Sequence, residues 1–343
     1  MPVNQRLTIA GVADLAGVSY QTVSRVINNK PDVSLSTRQR VLGIIDETGY
    51  RPSHLARGLA TARTATVGLV VPDISNPYFS DLARGVELAG HALGYSVLLC
   101  NTDEDPEREI EVLNILDEKQ VDGVIVSGLR QDNADLQRAL SRFRGVVLVN
   151  RHLDGMTMPA VIVDDIGGGY MATRHLLNLG RTAIGYIAGP TNSYSGDRRA
   201  QGYRRALEEA GFVHEIGRVQ HCAPTVAGGE EATCALLGAY PELSALFCYN
   251  DLVAVGALRA CAALGRRVPD DMAIVGFDDI MLAALVSPAL TTCGVPRSEM
   301  GSQAMTMLLA CINDGGEPRD EIVVAPELIV RSSAPAPDHR ENA

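Results

Sequence analysis

The chain has 343 residues, 46% of them hydrophobic and 21% charged, and its 41 acids against 30 Lys and Arg leave a formal net charge of −11. That length is about twice a typical domain, so two or three compact units are expected, and the acidic total taken alone argues against a nucleic-acid partner. The longest apolar runs are strand-sized, as at residues 67–72, so no membrane span is expected. The N-terminal MPVNQRLTIAGVADLAG has no apolar h-region, so secretion is not expected and a cytoplasmic location is. Seven scattered cysteines, none at CxxC spacing, indicate neither a zinc site nor a disulfide framework. The charge is also split. Residues 1–63 hold eight Lys/Arg against four acids, a net of +4, which leaves −15 on the remaining 280.

The first zone reads as helical. Thr8 is an N-cap, and Ile9, Val12, Ala13 and Ala16 recur at helical spacing. Gly17-Val18-Ser19 breaks that helix, and Ser19 caps a second one carrying Val23, Val26 and Ile27 and ending at Asn28. A loop, Asn29-Lys30-Pro31-Asp32, precedes a third helix that starts near Ser34 and Thr37, carries Val41, Leu42, Ile44 and Ile45, and stops before Gly49. Two short helices joined by a Gly-containing turn are the helix-turn-helix pattern, and a plain three-helix bundle is the alternative. Arg51-Pro52 breaks the third helix. Ser53 then caps one short helix over residues 54–61, too brief to be stable alone in water.

From Thr66 onward apolar, β-branched runs alternate with helix patterns. The runs lie at 67–71, 96–100, 124–126, 146–149, 161–163, 184–187, 246–249 and 274–277, and helix patterns at 79–93, 110–119, 170–179, 200–210, 229–237 and 252–264. Repeated β-α units imply parallel sheets covered on both faces. Some eleven strands exceed one sheet, so two α/β lobes are expected. Residues 332–343, rich in Pro, Ala and charge, are expected to be disordered. They carry no leucine heptad, so no tetramer through a coiled coil is expected.

The second helix would turn Tyr20, Gln21, Ser24, Arg25 and Asn28 outward. Arg25 can donate two bonds to guanine, Gln21 can donate to and accept from a base edge, and Tyr20 can meet a thymine methyl. Ser19, Thr22, Ser24, Asn28, Ser34 and Thr37 are short donors suited to phosphates. In a doubly wound sheet ligands bind beyond the carboxyl ends of the strands. Those positions hold Asp73, Asn76, Tyr78 and Phe79, then Asn101 and Asp103, Ser127, Asn150-Arg151, Ser195, Arg199, Asn250-Asp251 and Asp278-Asp279. The set is rich in donors and acceptors and poor in His, which suits a small, neutral, polyhydroxylated ligand.

TIAGVADLAGVSYQTVSRVIN resembles the N-terminal signature of the LacI/GalR family of bacterial transcription regulators, and the resemblance runs to about Arg331. It implies an α/β chain with a helix-turn-helix head at residues 1–50, a hinge helix at 51–63 and a two-lobed core at 64–331. That core is similar to periplasmic sugar-binding proteins and also dimerises. The run HLARGLATART is similar to the family's hinge helix, and Leu59 matches the leucine that wedges into the minor groove. The candidate DNA contacts are then Thr8, Ser19, Tyr20, Gln21, Thr22, Ser24, Arg25, Asn28, Ser34, Thr37, Tyr50, Ser53 and Leu59.

Of the residues at the strand ends, Asp73, Tyr78 and Phe79 match the family's first-lobe contacts and Asn150-Arg151 a further sugar-contacting pair. Ser195, Arg199, Asn250 and Asp278 match the second-lobe set. Arg199 and Asp278 are expected to clamp vicinal hydroxyls unless they form a structural ion pair, while Asp251 and Asp279 are expected to cap helices. Two departures are visible: Gly11 stands where the family usually has an acid, and Pro224 where many members place a stacking ring.

The expected function is a repressor, a homodimer on a pseudo-palindromic operator, controlled by a sugar-like effector. A purine- or nucleoside-type co-repressor is the alternative, and a transporter's solute-binding module is a further one. No cofactor and no catalysis are expected. Gly167-Gly168-Gly169 lacks GxGxxG spacing and reads as a strand-to-helix turn, and Ser195 has neither a GxSxG elbow nor a His base.

Overall fold

The computed structural model describes residues 7–27, 29–50, 63–128, 133–153, 155–212, 215–314 and 321–336. Contacts divide the chain into two units, Met1–Thr64 and Ala65–Ala343. In the first, α1 (Ile9–Ala16), α2 (Tyr20–Ile27) and α3 (Leu35–Thr48) follow one another closely. The Thr8 hydroxyl accepts the Gly11 N–H at 3.3 Å. Gly17, at φ 61°, takes the left-handed C-terminal position that lets the chain turn sharply into α2. Val12, Ala13, Ala16, Val23, Val26, Val41 and Tyr50 close a small core. Leu42, part of the apolar pattern of α3, is exposed instead. Arg38 fastens α3 to the preceding loop, donating to Asn29 Oδ1 at 2.8 Å and to the Lys30 carbonyl.

The second unit has two six-stranded sheets. The first lobe is built on β1 (Thr66–Val71), β2 (Ser96–Asn101), β3 (Gly123–Ser127), β4 (Val146–Val149), β5 (Ala160–Val163) and β11 (Ile322–Val324). The second is built on β6 (Ile184–Ala188), β7 (Val219–His221), β8 (Ala245–Cys248), β9 (Ala273–Asp278), β10 (Thr291–Gly294) and β12 (Glu327–Ile329). Their orders are β11-β5-β4-β3-β1-β2 and β12-β10-β9-β8-β6-β7. Pairing is parallel throughout except between β10 and β12. Strands such as β3 and β4 are buried along their whole length, which is why they read as unbroken apolar runs. β2, at a sheet edge, leaves Leu98 and Leu99 exposed.

The helices of this unit are α4 (Pro77–Ala92), α5 (Pro106–Glu118), α6 (Ala134–Leu140), α7 (Asp165–Asn178), α8 (Tyr194–Glu209), α9 (Val226–Ala239), α10 (Asp251–Ala263), α11 (Met281–Leu285) and α12 (Arg297–Asp314). The chain passes between the sheets three times, after β5, after β10 and between β11 and β12. α12 packs on α4 and on β3, β4 and β5, so it belongs to the first lobe. There a Cβ on Gly85 would lie 1.9 Å from the Ser298 carbonyl oxygen, and one on Gly301 2.2 Å from that of Leu82. The two backbones therefore touch, and the pair is closely meshed.

Three expectations are corrected. Gly167-Gly168-Gly169 is no turn: it lies inside the start of α7, capped by Asp164, whose Oδ1 accepts the Gly167 N–H at 2.9 Å. Glycine is needed because a Cβ on Gly169 would lie 2.3 Å from the Arg199 carbonyl oxygen of α8. Residues 332–336 are ordered against the second lobe, where Ser333 and Ala334 are buried. Ser333 gives N–H to Ala289, and its hydroxyl gives to the Ile274 carbonyl at 2.6 Å. Finally, Asn250 caps α10 by accepting the Val253 N–H at 2.9 Å, whereas Asp251 lies inside the helix and is fully buried. Asp279 caps nothing either. It pairs with Arg331 at 2.7 Å, and α11 has no side-chain cap.

Candidate functional site

On the first unit, α2 buries Val23 and Val26 and exposes Tyr20, Gln21 and Arg25, with Ser24 half-buried. Arg25 Nη1 lies 3.1 Å from Asp32. Ser19 caps α2 by accepting the Thr22 N–H at 3.2 Å, and Ser34 caps α3 by accepting that of Thr37 at 3.3 Å. Both hydroxyls thus stand at helix N-termini, where amide donors favour anions such as phosphates. Thr8 does the same for α1. A side chain at Gly11 would lie 2.9 Å from Leu7 Cδ1. Tyr50 is a correction: it packs into the core of this unit, 9% exposed, and burial pushes its hydroxyl pKa up. Asn28, Ser53 and Leu59 lie outside the described residues.

In the second unit a polar pocket opens at the carboxyl ends of the strands. From the first lobe it is lined by Asn76, Tyr78, Phe79, Glu104, Gly128 and Asn150; from the second by Ser195, Arg199, Pro224, Tyr249, Asn250 and Asp278. Seven of the nine expected effector residues therefore share one cavity. Asn76 caps α4 and Asn150 donates to the Tyr78 hydroxyl, so the first-lobe wall is set by the turn into α4 and by the end of β4. Tyr78 and Phe79 meet edge to face at 5.1 Å.

Two expected residues are placed elsewhere. Asp73 turns back on its own loop, accepting from Ser75 N–H at 2.9 Å and Ser75 Oγ at 2.8 Å. The Arg151 guanidinium lies 5.8 Å over the Tyr194 ring, outside the pocket lining. Asn101, likewise, accepts the Ile74 N–H at 2.7 Å and holds that loop.

Arg199 dominates the second-lobe wall. It is 4% exposed, and its Nε donates to Asp165 Oδ1 at 2.8 Å while Nη1 donates to the Tyr249 carbonyl at 2.5 Å. Nη2 lies 3.7 Å from Asp278 Oδ1. The guanidinium stacks 3.6 Å over Phe277 and 5.1 Å from the Tyr249 ring. So the arginine is first of all a buried structural cation whose main partner is Asp165. Asp165 was missed by the sequence reading, although it lies two residues beyond the strand ending at Val163 and the strand-end rule reaches it.

Burial pushes the Asp165 carboxyl up, against the pull of Arg199. Burial likewise raises Asp278 to about 7, with Arg199 and Arg297 opposing and Asp165 adding to the rise. Burial opposes the charge on Arg199, but Asp165 and Asp278 outweigh it and hold the guanidinium protonated. Glu104, Asp165 and Asp278 against Arg199 leave the site without surplus positive charge. Among the described residues no group of His, Cys, Asp and Glu is arranged to hold a metal ion.

A model for bacterial regulatory proteins of the lacI family matches residues 8–53, and one for periplasmic binding proteins and the sugar binding domain of the LacI family matches residues 64–331. The chain belongs to the LacI family. It is a DNA-binding transcriptional regulator and not an enzyme. This LacI-family chain is 36% identical over 331 residues to the HTH-type transcriptional regulator DegA of Bacillus subtilis, covering 96% of this chain and 98% of DegA. Among solved structures, it resembles the transcriptional regulator CelR–cellobiose complex with TM-score 0.74 and 33% identity, covering 95% of this chain and 99% of that one. The Lac repressor dimer bound to operator and the anti-inducer ONPF gives TM-score 0.86 and 26% identity, covering 98% and 100%.

Proposed function

We propose that this regulator is a cytoplasmic homodimeric repressor whose affinity for a pseudo-palindromic operator is set by a small, neutral, sugar-like effector held between the two lobes of its second unit. Residues 1–50 are the reading head, 51–63 the hinge and 64–331 the effector-binding body. The observation that carries the ligand class is the pocket wall, where amide, hydroxyl and carboxylate groups from both lobes face one cavity. Such groups exchange water for the hydroxyls of a polyol, and an anionic ligand finds no surplus cation there. CelR, with its cellobiose, supports the same class. Of the pocket's aromatic rings, that of Tyr249 is already engaged, facing Arg199 while its hydroxyl meets Ser193 at 3.0 Å, and Pro224 supplies none, which favours a polyol over a stacked purine. Exposed Leu98 and Leu99 on β2, with Met281 and Leu285 on α11, are apolar surface of the kind a second copy covers.

A thermal-shift screen of the full chain against D-galactose, D-glucose, cellobiose and adenosine tests this, since a ligand that binds only the folded state raises Tm. A neutral sugar should stabilise the wild type and not Asp278→Ala, which should still bind operator; stabilisation by adenosine alone would refute the class. Sugar affinity should fall as pH drops through about 7, because the protonated Asp278 has lost its charge and accepts from a hydroxyl more weakly than the carboxylate does. Stability runs the other way. Between about 4 and 7 the folded state keeps a proton that the unfolded one has lost, so this group's contribution declines as pH rises through that window and is level above it.

A further inference from the structure

We infer that Arg297 is the positioning residue that ties the effector cleft to the first lobe, so that ligand at Asp278 and the arrangement of the lobes constrain each other. Arg297 is the first residue of α12, the helix meshed with α4 through Gly85 and Gly301. Its side chain is only 14% exposed. Nε and Nη2 each lie 3.0 Å from Asp81 Oδ2 on α4. Nη1 donates to the main-chain carbonyl of Asp278 and, at 3.3 Å, to that of Val295 in the crossing segment. One guanidinium therefore holds a carboxylate of the first lobe and a peptide group of the second.

That peptide group is the one whose side chain lines the cleft. Asp278 has φ 105° and Asp279 φ 55°, two successive non-glycine residues in a region that L-residues rarely occupy. From within the second lobe the turn is fixed by Asp279 N–H to Thr292 Oγ1 at 3.4 Å, Ile280 N–H to Asp251 Oδ2 at 2.8 Å, and Arg331 on Asp279. From the first lobe Arg297 grips the same turn. A ligand group docked on the Asp278 carboxylate loads the peptide that Arg297 holds, and Asp81 carries that load into α4. When the lobes change their angle, Arg297 must either drag the Asp278 turn or release it. Lysine cannot replace it, because an ammonium lacks the planar fork that reaches two acceptors on opposite sides.

This rests on the reading that lobe arrangement controls operator binding, and linkage makes it testable without a known effector. Whatever passes from cleft to operator also passes back. The experiment is amide hydrogen exchange on the full chain with and without an operator duplex selected from random DNA, read in the peptide spanning residues 277–281. Operator should change exchange there at least about 5-fold in the wild type, in line with ordinary allosteric coupling. The change should fall below about 2-fold in Arg297→Lys and in Asp81→Asn. A merely structural role would alter exchange equally with and without DNA and leave the operator-dependent difference intact. Retention of that difference in both variants, or its absence from the wild type, overturns the inference. Failure of the operator reading shows separately, as a wild type that selects no DNA, and takes this inference with it.

Discussion

Arg25→Ala is expected to lower affinity for the selected operator by about 5- to 150-fold, the equivalent of losing about 1–3 kcal/mol from one bidentate base contact. The loss should be selective, with discrimination collapsing at one base pair of each half-site and unchanged elsewhere. Arg25 is poised for this on the exposed face of α2, and its ion pair with Asp32 joins two half-exposed side chains. Such a pair contributes at most about 1 kcal/mol, so the guanidinium exchanges it readily for guanine. Fluorescence anisotropy over a set of single-base operator variants measures both effects. An unaltered base preference in Arg25→Ala would show that α2 is not the reading helix.

The largest stability effect is expected at a residue that the sequence reading passed over. Asp165→Ala removes the main partner of a guanidinium that is 4% exposed and stacked on Phe277. Breaking one side of a buried pair costs about 3–5 kcal/mol, because the remaining charge stays buried without its counterion. In a unit of this size that corresponds to a fall in Tm on the order of 10 °C. Asp165→Asn should cost less, since the amide oxygen still accepts from Arg199 Nε. Asp278, at 3.7 Å from Nη2, gives only partial compensation. Scanning calorimetry decides it: a change under about 1 kcal/mol in Asp165→Ala would mean that Asp278 and the Tyr249 carbonyl suffice to hold Arg199.

The contrast between these two residues shows what the sequence could carry. The helices of the head announce themselves through local signals, Thr8, Ser19 and Ser34 as caps and Gly17 and Gly49 as stops, and those signals act where they are read. Buried parallel strands likewise appear as apolar runs. The edge strands β7, β11 and β12 do not, because three residues at a sheet margin leave little pattern, and neither does the interior β10, whose Thr-Thr-Cys-Gly is buried without being an aliphatic run. Gly167-Gly168-Gly169 misled for a related reason. Local propensity speaks against a helix, while the need for contact between α7 and α8 is visible only in three dimensions.

At the cleft, the rule that ligands gather at strand ends brought together Tyr78, Phe79, Asn150, Ser195, Arg199, Asn250 and Asp278. It failed for Asp73 and Arg151, whose side chains satisfy themselves on a neighbouring serine and tyrosine. Polar residues at a strand end have several partners in reach, and sequence order does not rank them. The partnership of Arg199 with Asp165 rather than Asp278 is of that kind.

The charge of the chain is divided in the same way, +4 on residues 1–63 and −15 on the remaining 280. The acidic total belongs to the body, whose pocket holds its arginine already paired, and the net positive charge belongs to the head. Affinity for DNA should therefore depend steeply on salt and on the head.

The central claim is that occupancy of the cleft sets the affinity of the head for DNA. Its most direct test is an operator titration of the full chain with and without the neutral sugar that gives the largest thermal shift, in the wild type and in Asp278→Ala. The sugar should change the wild-type operator Kd by at least about 5-fold and leave that of Asp278→Ala unchanged. A sugar that binds the wild type without moving its operator Kd, or that moves it equally in Asp278→Ala, would contradict the account.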